Sequence, residues 1–332
     1  MVTPDFETRP ATLVGDTADI YLQRTLTILR NEGVNPVVTM EFFPQRDGIF
    51  CGILEVRSLL GKILPEAGSE VWALEEGESM QTGEVALRIK APYSTFGLYE
   101  TALCGTLASC SGWATAAREC VDAAEGVPVV ATAARHVHPN VVALLDYSSV
   151  VGGCVSCSTI QGARLAGVTP SGNMPHALAL LLGDTVHAVE SFDRHMPQEV
   201  PRVALVDTFK DEVEESLNVA ACLKERLRGI RLDTPRERGG VTPDMVMELR
   251  SRLDQAGFRH VEIFVSGAFN PVRIAEFVER SAPVNGFAVG SYISSAPPND
   301  FTADIHEVDG RPIAKRGRIP GITPSPRLDR VM

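Results

Sequence analysis

Residues Ser148 to His187 read SSVVGGCVSCSTIQGARLAGVTPSGNMPHALALLLGDTVH, and the reading of this stretch decides the fold. A short apolar run enters Gly152-Gly153, a segment of small residues with scattered Ser and Thr follows, and the chain turns at Thr169-Pro170-Ser171-Gly172. Pro175, a residue favoured at the first helical position, opens a helical pattern over 175–190. His176 falls in the first turn of that helix. Unpaired backbone N–H groups and the helix dipole favour negative charge there, so an imidazole is suited to holding or carrying a phosphate. The same residues equally describe a plain helix start after a tight turn, with His176 merely exposed.

Outward from this stretch the alternation continues. Strand patterns lie at Val127–Ala133, Ser148–Gly153, Arg202–Thr208, Ile230–Thr234, Glu262–Ala268 and Gly286–Ile293. Helical patterns fill 138–147, 158–167, 175–190, 211–227, 243–256 and 271–280. Strand alternating with helix implies a parallel sheet, closed as a barrel or open and doubly wound. The strands end in Asp207-Thr208, Asp233-Thr234, Ser266-Gly267 and Gly290-Ser291. Polar and small residues at successive strand ends suit a site at one barrel mouth, and the pattern favours a barrel over an open sheet.

The first hundred residues have a different rhythm. Residues 16–32 read as a helix with Asp16 as N-cap, Asp19 in its first turn and Gly33 as its stop. Tyr21 and Asp19 serve equally as core and cap of that helix. Apolar strand-like pieces follow at Val37–Phe43 and Ile49–Leu54, with another helix beginning over 53–61. Glu70–Leu74 and Glu84–Ile89 flank a turn-rich segment in a hairpin-like arrangement. A long helix is expected from Phe96 to Ala123. In the tail, rich in Pro and charge, Ala303–Glu307 reads as one strand and the last dozen residues as loose.

Composition limits what such a chain can do. It has 332 residues, 44 % of them hydrophobic and 22 % charged, the balance of an ordinary globular protein of one large domain or two. A net charge of −11 argues against a general nucleic-acid binder but leaves small phosphorylated ligands open. No apolar run reaches membrane-spanning length, and the N-terminal MVTPDFETRPATLV lacks the apolar core of a secretory signal. The seven cysteines are widely spread, and Cys154 and Cys157 have no second pair at zinc-finger spacing. A reduced, cytoplasmic setting is the expectation.

Several residues are candidates for chemistry. Arg135, His136 and His138 follow the first barrel strand, and Arg suits bidentate contact with carboxylate or phosphate oxygens. Asp207 and Asp233 can accept sugar hydroxyls or hold Mg2+ through water, although each can equally cap the helix that follows. Ser266-Gly267 and Gly290-Ser291 place small residues where backbone must approach a ligand, as in barrel loops that cradle a phosphate.

With these residues in view the chain resembles nicotinate phosphoribosyltransferase, of the type II phosphoribosyltransferase family that includes the quinolinate and nicotinamide enzymes. The resemblance rests on eight segments in order: TADIYL at Thr17–Leu22, ARHVHP at Ala134–Pro139, STIQGARLAG at Ser158–Gly167, SGNMPHAL at Ser171–Leu178, LVDTF at Leu205–Phe209, IRLDT at Ile230–Thr234, VSGAFN at Val265–Asn270 and FAVGSYI at Phe287–Ile293. It implies an α/β fold: an N-terminal α+β domain over 1–110, an irregular α/β barrel over 111–293, and a segment over 294–332 that returns to the first domain. It implies transfer of phosphoribosyl from 5-phosphoribosyl 1-pyrophosphate to nicotinate in NAD biosynthesis, with Mg2+, with ATP as co-substrate, and in a homodimer with shared sites.

The resemblance also implies residue roles. His176 would be phosphorylated by ATP, with Asp207 near it. Arg135, with His136 beside it, would face the base carboxylate or pyrophosphate, and Ser158 and Thr159 would line the base pocket. Tyr21 would stack on the base across the subunit interface. Arg231 and Asp233 would hold pyrophosphate and ribose, and Ser266, Gly267, Gly290 and Ser291 would bind the 5′-phosphate. The chain departs from the family pattern at Asn173, where Thr is usual, and at Pro235–Gly240, where a Gly-Asp pair often follows. It also lacks the C-terminal extension of some relatives. A transferase acting on another aromatic acid or amide, and a catalytically silent nucleotide binder, are the competing expectations.

Overall fold

A computed structural model describes residues 4–332 and divides into two units. The first comprises residues through Ala116, Leu165–Gly167 and Ala296–Met332; the second comprises Ala117–Arg164 and Val168–Ser295.

The first unit is α+β. Val37–Pro44 is flanked by Phe301–Val308 and Leu87–Pro92, and the sheet extends through Arg311–Pro312 on one side and through Glu70–Ala73 and Asp329–Arg330 on the other, antiparallel throughout. Leu87–Pro92 buries alternate residues, Leu87, Ile89 and Ala91, as the pleat requires. These pack with Phe42, Val56, Leu60, Phe96 and Leu103 in one core. The helix near the N-terminus spans Ile20–Glu32, with Asp19 and not Asp16 at its N-cap and Gly33 left-handed at its C-cap. Asp19 accepts a hydrogen bond from Thr101 Oγ1 at 2.7 Å, which explains the later start. Ile49–Leu54 is not a strand: Gly48–Ile49 forms a two-residue one and Gly52 starts the helix Ile53–Ile63. The tail, expected to be loose, is tied down. Asp329–Arg330 pairs with Glu70–Ala73, Val331 N–H donates to Val71 O at 2.8 Å, and Thr323 N–H reaches Glu41.

Glu55, in the first turn of Ile53–Ile63, has a buried carboxyl oxygen without a hydrogen-bond partner among the described residues. Burial first, and the neighbouring Glu76 carboxylate second, push its pKa up to about 7. A raised acid favours folding below its unfolded value, and that contribution is lost as pH rises through the folded value. Glu55→Gln is therefore expected to gain stability over wild type as pH goes from about 5 to about 8, by up to about 2–3 kcal/mol. Melting temperatures of the two proteins across that range test it; a difference that stays constant counts against it.

The second unit is an irregular α/β barrel. Its six strands lie in the order Ser156–Cys157, Val129–Ala131, Gly286–Val289, Glu262–Val265, Gly229–Leu232, Val203–Leu205, every neighbouring pair parallel. Among the described residues no ladder joins the two outer strands, so the barrel is open along one seam. Three expectations are corrected here. Ser148–Gly153 is the end of a helix, Val142–Val151, and the strand comes later at Ser156–Cys157. That helix buries Ala143, Leu145, Asp146, Tyr147, Ser148 and Ser149, so its apolar run has no polar face to give its period away. The single helix expected over 175–190 is two, His176–Leu182 and Thr185–His195. Gly183 ends the first at φ 80° and Asp184 caps the second by accepting from His187 N–H. Pro175 is the N-cap of the first, one place earlier than expected.

Candidate active site

All the strand-end candidates of the second unit leave the sheet at one edge, because all its strands are parallel. Leu205 pairs with Arg231 and Val265 with Leu232, so the residues that follow, Asp207, Asp233 and Ser266-Gly267, emerge side by side. Gly290-Ser291 follows the adjacent Gly286–Val289 strand, and Arg135-His136 follows Val129–Ala131 beyond it. Ser158 and Thr159 follow the outer strand Ser156–Cys157.

The centre of the group is electrostatic. The Asp207 side chain is 1 % exposed, and neither carboxylate oxygen has a hydrogen-bond partner among the described residues. Burial raises its pKa to about 6; His176 and Arg231 oppose that rise, while Asp233 and Glu212 add to it. Arg231 is largely withdrawn from water, which lowers its pKa, while Asp233 and Asp207 raise it and Arg135 lowers it. One Nη of Arg231 donates to Met174 O at 3.5 Å, and its Nε is buried without a partner among the described residues. The fold has thus withdrawn the Asp207 carboxylate and most of a guanidinium from water and left bonding capacity unused on Asp207 and Arg231, a costly state that a ligand's polar groups would relieve.

His176 stands over the same edge. Its Nδ1 lies 3.1 Å from Thr208 Oγ1, and its Nε2 lies 3.4 Å from Asp207 Oδ2. Met174, 2 % exposed, buries the middle of the SGNMPH segment and so fixes where Pro175 and His176 begin their helix.

Two glycines leave room. A Cβ on Gly290 would sit 3.0 Å from His136 Cε1 and 3.0 Å from Thr132 O; on Gly267, at φ 98°, it would sit 3.3 Å from Asp233 Oδ1. Arg273 holds the Gly267 loop from behind, donating to Gly267 O at 2.6 Å and Val241 O at 2.8 Å. Ser266 is less free than its position suggested: its hydroxyl donates to Leu232 O at 3.0 Å. Thr159 is likewise engaged. Its hydroxyl donates to the buried Asp146 at 2.6 Å and accepts from Gly162 N–H at 3.1 Å, so it shapes the start of Ile160–Ala166. Ser158 Oγ is buried and unpartnered among the described residues. Arg135 and His136 are exposed, whereas His138 Nδ1 accepts from Asn140 N–H and serves a turn. Tyr21 belongs to the other unit; it is 57 % exposed on Ile20–Glu32.

Sequence reasoning missed Asp146, Glu212 and Glu215. Glu212 accepts from Thr234 Oγ1 at 2.8 Å and lies 3.7 Å from Arg238, while Glu215 receives the loop after Asp207. The signal was present in DEVEES at Asp211–Ser216, where two acids beyond the N-cap turn inward instead of merely facing the helix dipole.

The chain's likeness to known proteins covers both units. Residues 19–111 match the family model "Quinolinate phosphoribosyl transferase, N-terminal domain" and residues 113–304 match the corresponding C-terminal domain. Over 247 residues the chain is 31 % identical to the nicotinate phosphoribosyltransferase pncB2 of Mycobacterium tuberculosis, a match covering 73 % of this chain and 52 % of that protein. The chain spans about half the length of the curated relatives it matches. A solved nicotinate-nucleotide pyrophosphorylase from Pyrococcus furiosus superposes with a TM-score of 0.88 at 38 % identity, over 97 % of this chain and 82 % of that one. Human nicotinic acid phosphoribosyltransferase superposes at 0.70 with 18 % identity, over 92 % and 77 %, a likeness of fold alone. With both of its domains matched in order along one chain, this protein belongs to the quinolinate phosphoribosyltransferase family.

Proposed function

We propose that this chain transfers a phosphoribosyl group from 5-phosphoribosyl 1-pyrophosphate to the ring nitrogen of a pyridine carboxylate, nicotinate in the first place, as a step of NAD biosynthesis. The observation that carries the proposal is Arg231, largely withdrawn from water beside Asp207 and Asp233 at the strand ends, with His176 on Asp207. The pyridine nitrogen has its own lone pair, so no general base is needed. It forms the new bond to the ribose C1′ while the C1′–oxygen bond breaks and pyrophosphate departs with that electron pair. What the protein must supply is charge stabilisation and alignment. Arg231 is placed to stabilise the departing pyrophosphate and Asp233 to hold ribose hydroxyls. Backbone N–H groups around Ser266-Gly267 and Gly290-Ser291 receive the 5′-phosphate. Arg135, with His136, takes the base carboxylate, and Ser158 lines the base.

Asp207 and Asp233 offer the hard oxygen donors that Mg2+ takes, and Asp207 Oδ1, the oxygen turned away from His176, has no hydrogen-bond partner among the described residues. When bound, Mg2+ would offset the charge of the pyrophosphate.

The proposal includes ATP as co-substrate. A ring nitrogen of His176 takes the γ-phosphoryl group as the bond to the β–γ bridging oxygen breaks, and ADP leaves with that electron pair. It also includes a homodimer in which Tyr21 of the partner subunit stacks on the base. The runner-up base is quinolinate, favoured by the family models that match.

The test is pyrophosphate release from the donor with Mg2+ and a panel of nicotinate, quinolinate, nicotinamide and other pyridine acids, each with and without ATP. Nicotinate should be preferred, and ATP should stimulate wild type but not His176→Ala, whose basal synthesis survives. With γ-labelled ATP, wild type should take up acid-labile, base-stable label. Preference for quinolinate without ATP stimulation would replace the nicotinate reading, and no turnover of any base would leave a silent binder.

A further inference from the structure

Glu215 is 3 % exposed, yet none of the roles above uses it. Its carboxylate gathers four donors. Oε1 accepts from Thr185 Oγ1 at 2.9 Å, Phe209 N–H at 2.9 Å and Lys210 N–H at 3.1 Å; Oε2 accepts from Thr208 N–H at 3.2 Å. The loop that follows Asp207 is therefore wound around one buried anion. Thr185 ties that anion to the helix succeeding the one that carries His176. The consequence falls on Thr208, whose backbone is pinned by Glu215 and whose hydroxyl lies 3.1 Å from His176 Nδ1.

The direction of that contact follows from the other side of the ring. Nε2 faces Asp207 Oδ2 at 3.4 Å, and Asp207 has no other hydrogen-bond donor among the described residues. A lone pair on Nε2 would oppose the carboxylate, whereas an Nε2–H dipole is attracted to it. The neutral ring then carries its proton on Nε2, and Nδ1 accepts from the Thr208 hydroxyl. We propose that Glu215 is a positioning residue that, by pinning Thr208, holds the orientation of the His176 ring and supports the tautomer that Asp207 favours. This deepens the reading of His176 as the phosphate-accepting group and rests on that reading for its link to ATP, though not for the geometry itself.

Glu215→Gln is a sharp probe because the site contains only donors. An amide has a single acceptor oxygen; with that oxygen kept at the Oε1 position, its NH2 is set against Thr208 N–H, and flipping it sacrifices three bonds instead. The experiment records long-range proton–nitrogen spectra of 15N-labelled protein at a pH where imidazoles are neutral, with the His176 signals assigned by their loss in His176→Ala. Wild type should show Nδ1 as the bare nitrogen. Glu215→Gln and Thr208→Val should shift His176 towards a mixture of tautomers, and Thr208→Ser should restore the wild-type pattern. In the same Glu215→Gln protein, ATP stimulation should fall about tenfold, the scale for losing an outer-shell orienting group, while the Michaelis constant for the donor without ATP changes less than about twofold.

A wild-type tautomer signature in Glu215→Gln overturns the proposal. So does a Michaelis constant that rises as steeply as the stimulation falls, since that is general disruption. If Glu215→Gln does not fold, Thr185→Val, which removes one of the four donors and leaves the loop intact, must shift the signature in the same direction; no shift there overturns it too. If wild type itself takes no phosphate from ATP, the reading of His176 fails while the spectra still decide the role of Glu215.

Discussion

Replacing Arg231 by Met is expected to lower kcat/KM for the phosphoribosyl donor by about a thousandfold, the upper range for losing one preorganised charge-stabilising group. Met roughly fills the space, and removing a buried guanidinium also removes its desolvation penalty, so the barrel should still fold. What is lost is the positive charge shared by Asp207 and Asp233. Arg231, after His176, opposes the rise in the Asp207 pKa, so without Arg231 that pKa moves further up. At neutral pH part of the deficit is then protonation of Asp207, and raising the pH should recover that part and no more. Arg231→Lys keeps the charge but not the planar fork, and should fall between the two. Steady-state rates against donor concentration, measured for both variants across pH, check this. A loss below about tenfold for Met would remove Arg231 from the pyrophosphate site.

Asp207 and Asp233 could be found from sequence because strand ends can be, whereas Arg231, inside the strand Gly229–Leu232, was reached only through the family resemblance. Short, largely apolar runs that stop at Asp or Ser-Gly mark the C-terminal edge of a parallel sheet, and that edge is where the structure gathers those residues. What surrounds them could not be found in the same way. Asp211, Glu212, Glu214 and Glu215 look alike in sequence as acids at a helix start, where the dipole alone accounts for them. Only the path of the preceding loop separates Glu214, which pairs with Lys210 on the surface, from Glu215, which anchors that loop. Thr159 was singled out through the family resemblance alone, and its hydrogen-bond partner Asp146 lies in a helix that the sequence disguised as a strand. The tail shows the same limit: its last residues have little apolar pattern, and the edge of Glu70–Ala73 orders them.

Replacing Gly290 by Val is expected to raise the Michaelis constant for the donor about a hundredfold, leaving the melting temperature within a few degrees of wild type. The backbone at Gly290 is not left-handed, and the space around it is what a side chain would first meet. A Cβ would already press on Thr132 O and the His136 ring at 3.0 Å, and the two γ carbons of Val would press further. The yielding partners are the exposed His136 ring and the turn Gly290–Ser291; Thr132 is held by its N–H to Val289 O at 2.8 Å. At the far side of the turn Tyr292 Oη is anchored on Glu119 at 2.6 Å, so the displaced turn cannot slide along the chain and must tilt its N–H groups away from the phosphate. Each charge-assisted hydrogen bond lost costs about 1.5–3 kcal/mol, and one or two of them give the expected factor. Gly290→Ala, with only the Cβ, should show a smaller rise in the same constant. Val and Ala variants that both bind the donor as wild type does would place the 5′-phosphate elsewhere. A loss confined to the base, with the donor unaffected, would instead assign this turn and His136 to the pyridine side of the site.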